Sequence, residues 1–194
     1  PWSYGEPFTS HNRESLKLKS RLIPYLYTYC HEAYDTGVPV VRACVLEFPN
    51  DPRTREESGV NGVTKHQFMC GEWLLIAPVY EKQDVIEWSF YLPDGIWTDF
   101  FTGKIYYGPS IINDYDISNY KYPVLVREGG IIPMYPESYY DYSRTQQKPM
   151  DPLTINIFPL ILVFLCFLLL AVEAEVEDCL YLVEKAVSRP QWVQ

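Results

Sequence analysis

Between Trp88 and Phe101 large side chains recur at every second position, first Trp88, Phe90 and Leu92, then Trp97, Asp99 and Phe101. A period of two puts alternate side chains on opposite faces, so this pattern demands strands with one buried face and cannot be served by a helix. Pro93-Asp94-Gly95 separates the two series and predicts a reversal, with a second turn at Thr102-Gly103. Just upstream, Leu74–Tyr80 reads as a buried strand whose Pro78 marks an edge or an end. Downstream, Tyr122–Met134 predicts a hairpin with Glu128-Gly129-Gly130 at its tip, and "LTINIF", with Leu153, Ile155 and Ile157, predicts one more strand.

Before Gly71 the period is different. From Thr9 to Gly37, Leu18, Leu22, Tyr25, Leu26, Tyr29 and Ala33 recur at three- and four-residue spacing, the stripe of a helix packed against something larger. Thr9 or Ser10 is the expected cap, Pro24 predicts a kink or two abutting helices, and Gly37 followed by Pro39 supplies the stop. Val38–Pro49, "VPVVRACVLEFP", is a nearly continuous apolar run, as in a strand buried on both faces of a parallel sheet. Asn50–Asn61 reads as a loop and Thr64–Cys70 as a short helical turn. Helix followed by buried strand is half of a β/α repeat. The switch to antiparallel patterning places a domain boundary near Gly71–Trp73.

Composition narrows the partners. The 194 residues are 47% apolar and 16% aromatic with 17 Tyr, which excludes a disordered chain. A net charge of −9 and a pI near 4.8 oppose a nucleic-acid partner, since phosphate backbones would be repelled. The basic cluster Arg13, Lys17, Lys19 and Arg21 lies in the helical pattern and reads as a solvated face. Five widely spaced cysteines (Cys30, Cys44, Cys70, Cys166, Cys179) show no CxxC or zinc-ligand spacing and predict reduced, mostly buried thiols. No signal peptide opens the chain, which begins on Pro1 in mid-motif, as a fragment would. Ile157–Val172, "IFPLILVFLCFLLLAV", is an uncharged apolar run just short of the roughly 17–25 residues that span a bilayer. It leaves three readings open: a membrane span through 157–172, a buried or mispaired segment, or sequence foreign to the domain before it.

A search for chemistry finds acids but no catalytic set. Asp94/Asp99 and Asp114/Asp116 lie in turns and polar loops and read as solvated. His11, His31 and His66 stand alone, no GxSxG elbow adjoins a serine, and the EGG tip is too short to cradle phosphate. The residues therefore assign no catalytic, cofactor-binding or metal position and call for no cofactor.

Five ordered blocks carry a resemblance. "PWSYGEP", "RLIPYLYTYCHEAYDTGVPVVRACVLEFPND", "QFMCGEWLLIAPVY", "YLPDGIWTDFFTG" and "YPVLVREGGIIPM" together resemble glycoside hydrolase family 31, the α-glucosidases with related α-xylosidases and glucosyltransferases. The resemblance covers Pro1 to about Pro159. It implies an α/β plus all-β chain: residues 1–72 as the end of a (β/α)8 catalytic barrel, 73–159 as the proximal C-terminal β-sandwich domain, and 160–194 as an atypical apolar, then acidic, tail. On that pattern Val41-Arg42 lies in the final barrel strand and its following loop reaches toward the rim of the sugar pocket. The family is retaining, with one aspartate as nucleophile and a second as acid and base. Both, and a sugar-binding histidine, precede the block that matches Pro1-Trp2, so the resemblance transfers no catalytic residue. It implies a fragment of an α-glucosidase-type enzyme, inactive alone, whose substrate in the full-length parent is an α-glucoside oligosaccharide. A non-catalytic carbohydrate-binding module, motivated by the tyrosines of Ile112–Tyr122, and a membrane-anchored interaction protein are the alternatives. The oligomeric state is not read from the sequence.

Overall fold

The computed structural model describes residues 3, 5–55, 66–79, 87–118, 122–136 and 153–159. The chain divides into two units, Pro1–Phe158 and Pro159–Gln194. The second lies outside the described residues apart from Pro159, and so does the tail predicted for it.

The helical region is two abutting helices, α1 (Phe8–Arg21) and α2 (Ile23–Thr36). They meet at Leu22, and Pro24 falls in the first turn of α2, where its missing N–H breaks no bond. Thr9 and Ser10 do not cap. Both lie inside α1, which starts after Pro7; the Thr9 hydroxyl donates to Gly5 O at 3.0 Å and the Ser10 hydroxyl to the Glu6 carboxylate at 2.6 Å. The predicted stop is observed. Gly37 takes φ 78°, a left-handed conformation open to glycine, and its N–H donates to Ala33 O at 3.0 Å.

Val38–Pro49 is not one doubly buried strand. Only β1 (Val41–Ala43) is extended; Cys44–Glu47 curls into the one-turn helix α3 and Pro52–Thr54 into a 3-10 turn. Arg42 alone of the three β1 residues points inward, with Val41 and Ala43 exposed. β1 pairs antiparallel with β2 (Phe68–Cys70), so the last three residues of Thr64–Cys70, expected to be a helical turn, form a strand, while residues 64 and 65 lie outside the described residues. Three residues carry too little helical period to resist ladder bonds offered from both sides.

β2 pairs in turn with β3 (Leu74–Ile76), shorter than the expected Leu74–Tyr80; it ends before Pro78, one of the two readings of that proline. β4 (Glu87–Asp99) runs straight through Pro93-Asp94-Gly95 without turning back. The residues packed in one core change parity there, from Phe90 and Leu92 to Trp97, and a bulge between Leu92 and Gly95 supplies that shift within one strand. The bulge is braced locally: the Trp97 indole N–H donates to Pro93 O at 2.9 Å. Opposite it, a Cβ on Gly108 would stand 1.9 Å from the same oxygen, so only glycine fits. The predicted turn before Gly103 is real and leads into β5 (Ile105–Asp116).

β6 (Val124–Arg127) and β7 (Ile131–Met134) flank the Glu128-Gly129-Gly130 turn but do not form a hairpin ladder. β6 pairs with β3 and β4, whereas β7 pairs with β8 (Thr154–Ile157), the strand expected in "LTINIF". The turn is a corner between sheets, fixed by Gly129 N–H to Phe158 O (2.7 Å) and Phe158 N–H to Gly130 O (2.9 Å).

The result is a six-stranded antiparallel sheet, β1-β2-β3-β6-β4-β5, and a two-stranded sheet, β7-β8. The large sheet runs unbroken through residues 71–73, since β2 and β3 pair across them. Its faces bury separate cores. Met69, Leu75, Phe90, Leu92, Trp97 and Leu125 form one. Cys70, Leu74, Val124 and Val126 meet Tyr25 and Tyr29 of α2, and Ile132 and Met134 of β7, in the other. Leu18, Leu22 and Leu26 of the predicted stripe pack there too. Of the apolar run from Ile157, the first two residues belong to the fold: Ile157 closes β8 and Phe158 stacks on Phe100 at 6.4 Å. Among the described residues no helix is long and apolar enough to cross a membrane.

Candidate functional site

Two charged side chains are buried among the described residues, Arg42 and Asp99. Arg42 occupies the inward position of β1, 4% exposed. Its guanidinium donates to Glu32 of α2 and Glu47 of α3, both at 2.8 Å, and to Pro39 O at 2.9 Å, and it lies 5.2 Å from the centre of the Tyr29 ring. Burial works against its charge, but bonds to Glu47 and the fields of Glu47 and Glu32 override this and raise its affinity for the proton.

Beside this group lies the turn between β2 and β3. The Tyr25 hydroxyl donates to Cys70 O at 2.7 Å, and the Tyr29 hydroxyl donates to the Glu72 carboxylate at 3.2 Å. Burial pushes both tyrosines far up and keeps them neutral. Burial, with repulsion from Glu47 and Glu32, also raises Glu72 above the usual carboxylate range, against the hydrogen bond from Tyr29 and the pull of Arg42. Four charged groups from four segments thus converge on one helix–sheet contact. Their geometry can hold elements together and exchange a proton.

Asp99 corrects the reading of it as a solvated acid. It is 1% exposed at the end of β4, where its Oδ1 accepts the Phe101 and Thr102 N–H groups at 2.8 and 2.7 Å, and its Oδ2 accepts the Tyr115 hydroxyl at 2.5 Å. Asp94, Asp114 and Asp116 are exposed as expected. Asp116 is held below its ordinary value by its hydrogen bonds with Ser118, whose N–H donates to it at 2.8 Å. His31 pairs with Asp35 at 3.0 Å on the exposed face of α2, and His66 is exposed. Of the tyrosines in Ile112–Tyr122, Tyr115 belongs to the core and Tyr122 is half-buried, while Tyr120 lies outside the described residues. Cys44 and Cys70 are buried free thiols, pushed up by burial, whereas Cys30 is exposed; Cys166 and Cys179 lie outside the described residues. No cluster of three His, Cys, Asp or Glu residues that could hold a metal occurs among the described residues.

Sequence reasoning missed the Arg42 group and Gln67. The Gln67 amide imitates a peptide, donating to Tyr91 O at 2.9 Å and accepting from Tyr91 N–H at 3.0 Å. A signal for Arg42 was present: one cation inside an apolar run, five residues before Glu47.

Comparison with known proteins gives the class to which this antiparallel sheet with its helical face belongs. The model described as the glycosyl hydrolase family 31 C-terminal domain matches residues 37–132, from the end of α2 into β7. A probable glucan 1,3-alpha-glucosidase of Oryza sativa subsp. japonica is 36% identical over 158 residues, 81% of this chain and 16% of that protein. A 1,6-alpha-glucosyltransferase of Sporosarcina globispora is 30% identical over 162 residues, 82% of this chain and 12% of that protein. Among solved structures, a family 31 dextranase of Flavobacterium johnsoniae complexed with glucose superposes with a TM-score of 0.68 at 39% identity, covering 82% of this chain and 18% of the dextranase. The described fold is thus a C-terminal β domain of the glycosidase type. The chain belongs to glycoside hydrolase family 31. It spans less than a fifth of the length of each of these relatives.

Proposed function

We propose that this chain is the supporting C-terminal part of a retaining α-glucosidase-type glycoside hydrolase, with the catalytic acids on polypeptide outside it. Residues 1–72 supply the last elements of the (β/α)8 barrel, and 73–159 the β domain that braces it. The substrate of the parent enzyme is an α-glucoside oligosaccharide, and the chain alone turns over none. The observation that carries this reading is the likeness to the dextranase over 82% of the chain, at an identity that goes beyond shared fold. Exposed apolar surface on the 1–72 portion supports it. Ile23, Tyr27 and Tyr34 form an outward stripe on α2, opposite the one that packs on the sheet, and Val41 stands exposed on β1, an edge strand. Such surface suits packing against further polypeptide.

The test is a chimera in which this chain's residues 1–159 replace the matching segment of the Flavobacterium dextranase, assayed beside the isolated chain. Hydrolysis of dextran by the chimera is expected, with no turnover of p-nitrophenyl α-glucoside by the isolated chain. A folded chimera without activity would sink the supporting role. Turnover by the chain alone would sink its inactivity.

A further inference from the structure

The contact between α2 and the β2–β3 turn is built without slack. Gly71 sits beneath two rings with φ 61°, and a Cβ there would fall 2.4 Å from Tyr29 Cε2 and 2.5 Å from the Tyr25 hydroxyl. The Tyr25 hydroxyl closes one side of the contact on Cys70 O, and Tyr29 closes the other on Glu72. Around that second bond the charges do not balance. Glu72 faces Tyr29 and Glu32 from α2, Arg42 from β1 and Glu47 from α3, with Tyr25 and Cys70 beside it. The single guanidinium is already bound by two carboxylates at 2.8 Å each, so Glu72 is a third anion in the field of one cation.

We propose that Glu72 is a proton-operated latch: a proton taken up there strengthens the docking of α2 on the sheet, and its release toward neutral pH weakens that docking. The Tyr29 hydroxyl can donate to Glu72 in either state, because a protonated carboxyl keeps one acceptor oxygen. What the proton removes is the repulsion from Glu32 and Glu47 and the cost of holding a third charge in a half-buried site. Tyr25, Tyr29 and Cys70 are all pushed up by burial, so none of them gains charge on the way to neutral pH.

The sign follows from linkage. A carboxyl raised in the folded state binds more protons there than in the unfolded chain, between its unfolded and folded values. Stability therefore falls as pH rises through that interval, which begins at the ordinary glutamate value, and the loss is complete above the folded value. The latch belongs to the described fold and does not depend on the family function.

Carbon-13 NMR of the glutamate carboxyls across the acid range tests this directly, with Glu72 identified by the signal absent from Glu72→Gln. A Glu72 midpoint above the ordinary glutamate value is expected; one at or below it overturns the latch. In urea, Glu72→Gln should increase the folded-to-unfolded ratio at neutral pH and leave it nearly unchanged below the ordinary glutamate range. Equal pH dependence in wild type and Glu72→Gln overturns the proposal. Should Glu72→Gln fail to fold, Tyr29→Phe serves in its place. Loss of the hydroxyl that favours the charged form should move the Glu72 midpoint further up, and an unmoved midpoint counts against the latch.

Discussion

The two buried charges sit on the same sheet, Arg42 on the edge strand β1 and Asp99 on β4, and are held in opposite ways. Arg42 draws its partners from α2, α3 and the Pro39 carbonyl, so its bonds join segments that local sequence does not hold together. Asp99 takes two of its three bonds from the backbone of the turn that follows it, and only Tyr115 comes from another strand. The first charge fastens a helix to a sheet edge; the second shapes a turn and ties it to β5. A charge that links elements should fail globally when removed, and a charge that organises its own turn should fail locally.

The largest expected effect is at Arg42. Arg42→Met keeps much of the apolar stem but leaves Glu47 and Glu32, both partly buried, without their cation, beside Glu72. Breaking a buried ion pair by removing one partner costs about 3–5 kcal/mol. The urea midpoint should fall accordingly, and protection from hydrogen exchange should drop across α2 and β1 together. Arg42→Lys restores the charge but not the fork that reaches two carboxylates and a carbonyl at once, so it should recover only part of the loss. If Arg42→Met destabilised no more than an exposed substitution, Arg42 would not be the link between these elements.

That contrast also marks what could be read beforehand. The α2 stripe, the stop at Gly37, the end of β3 before Pro78 and the turn before Gly103 follow from local chemistry, and the structure has them. Wherever a distant partner decides, the sequence misled. Phe68–Cys70 is a strand because β1 and β3 offer it ladders on both sides. Pro93-Asp94-Gly95 is a bulge because Gly108, thirteen residues on from Gly95, leaves room for it. The change of parity between Leu92 and Trp97 required some irregularity, but a turn and a bulge satisfy it equally. β6 and β7 part because Phe158 reaches the glycines between them. The candidate site follows the same division. Asp99 reads as an ordinary turn acid until Tyr115 closes over it, and the charge imbalance at Glu72 exists only once four segments have met.

Asp99→Asn tests the local side of the comparison. The amide keeps one acceptor for the two turn N–H groups but loses the charge that strengthens all three bonds, and its NH2 must face Tyr115 or the turn. Hydrogen bonds to charged groups contribute about 1.5–3 kcal/mol, so a loss of about 2 kcal/mol is expected, less than at Arg42. The new exchange should concentrate in residues 100–104. Loss of protection in α2 would show that the two charges are not independent.

The smallest expected effect is at Tyr115. Tyr115→Phe keeps the ring edge-on against Phe90 at 5.6 Å and removes only the hydroxyl bonded to Asp99. Burial and the neighbouring Asp99 hold that hydroxyl protonated well beyond neutral pH, so the lost bond is a neutral donor to a carboxylate throughout the working range. Asp99 keeps its two backbone donors, so the cost should be about 1 kcal/mol, and no more than that of Asp99→Asn. In the double variant the two losses should fall short of their sum, because the shared bond can be broken only once. Full additivity would mean that the Tyr115–Asp99 contact contributes nothing, and that Asp99 is held by its turn alone.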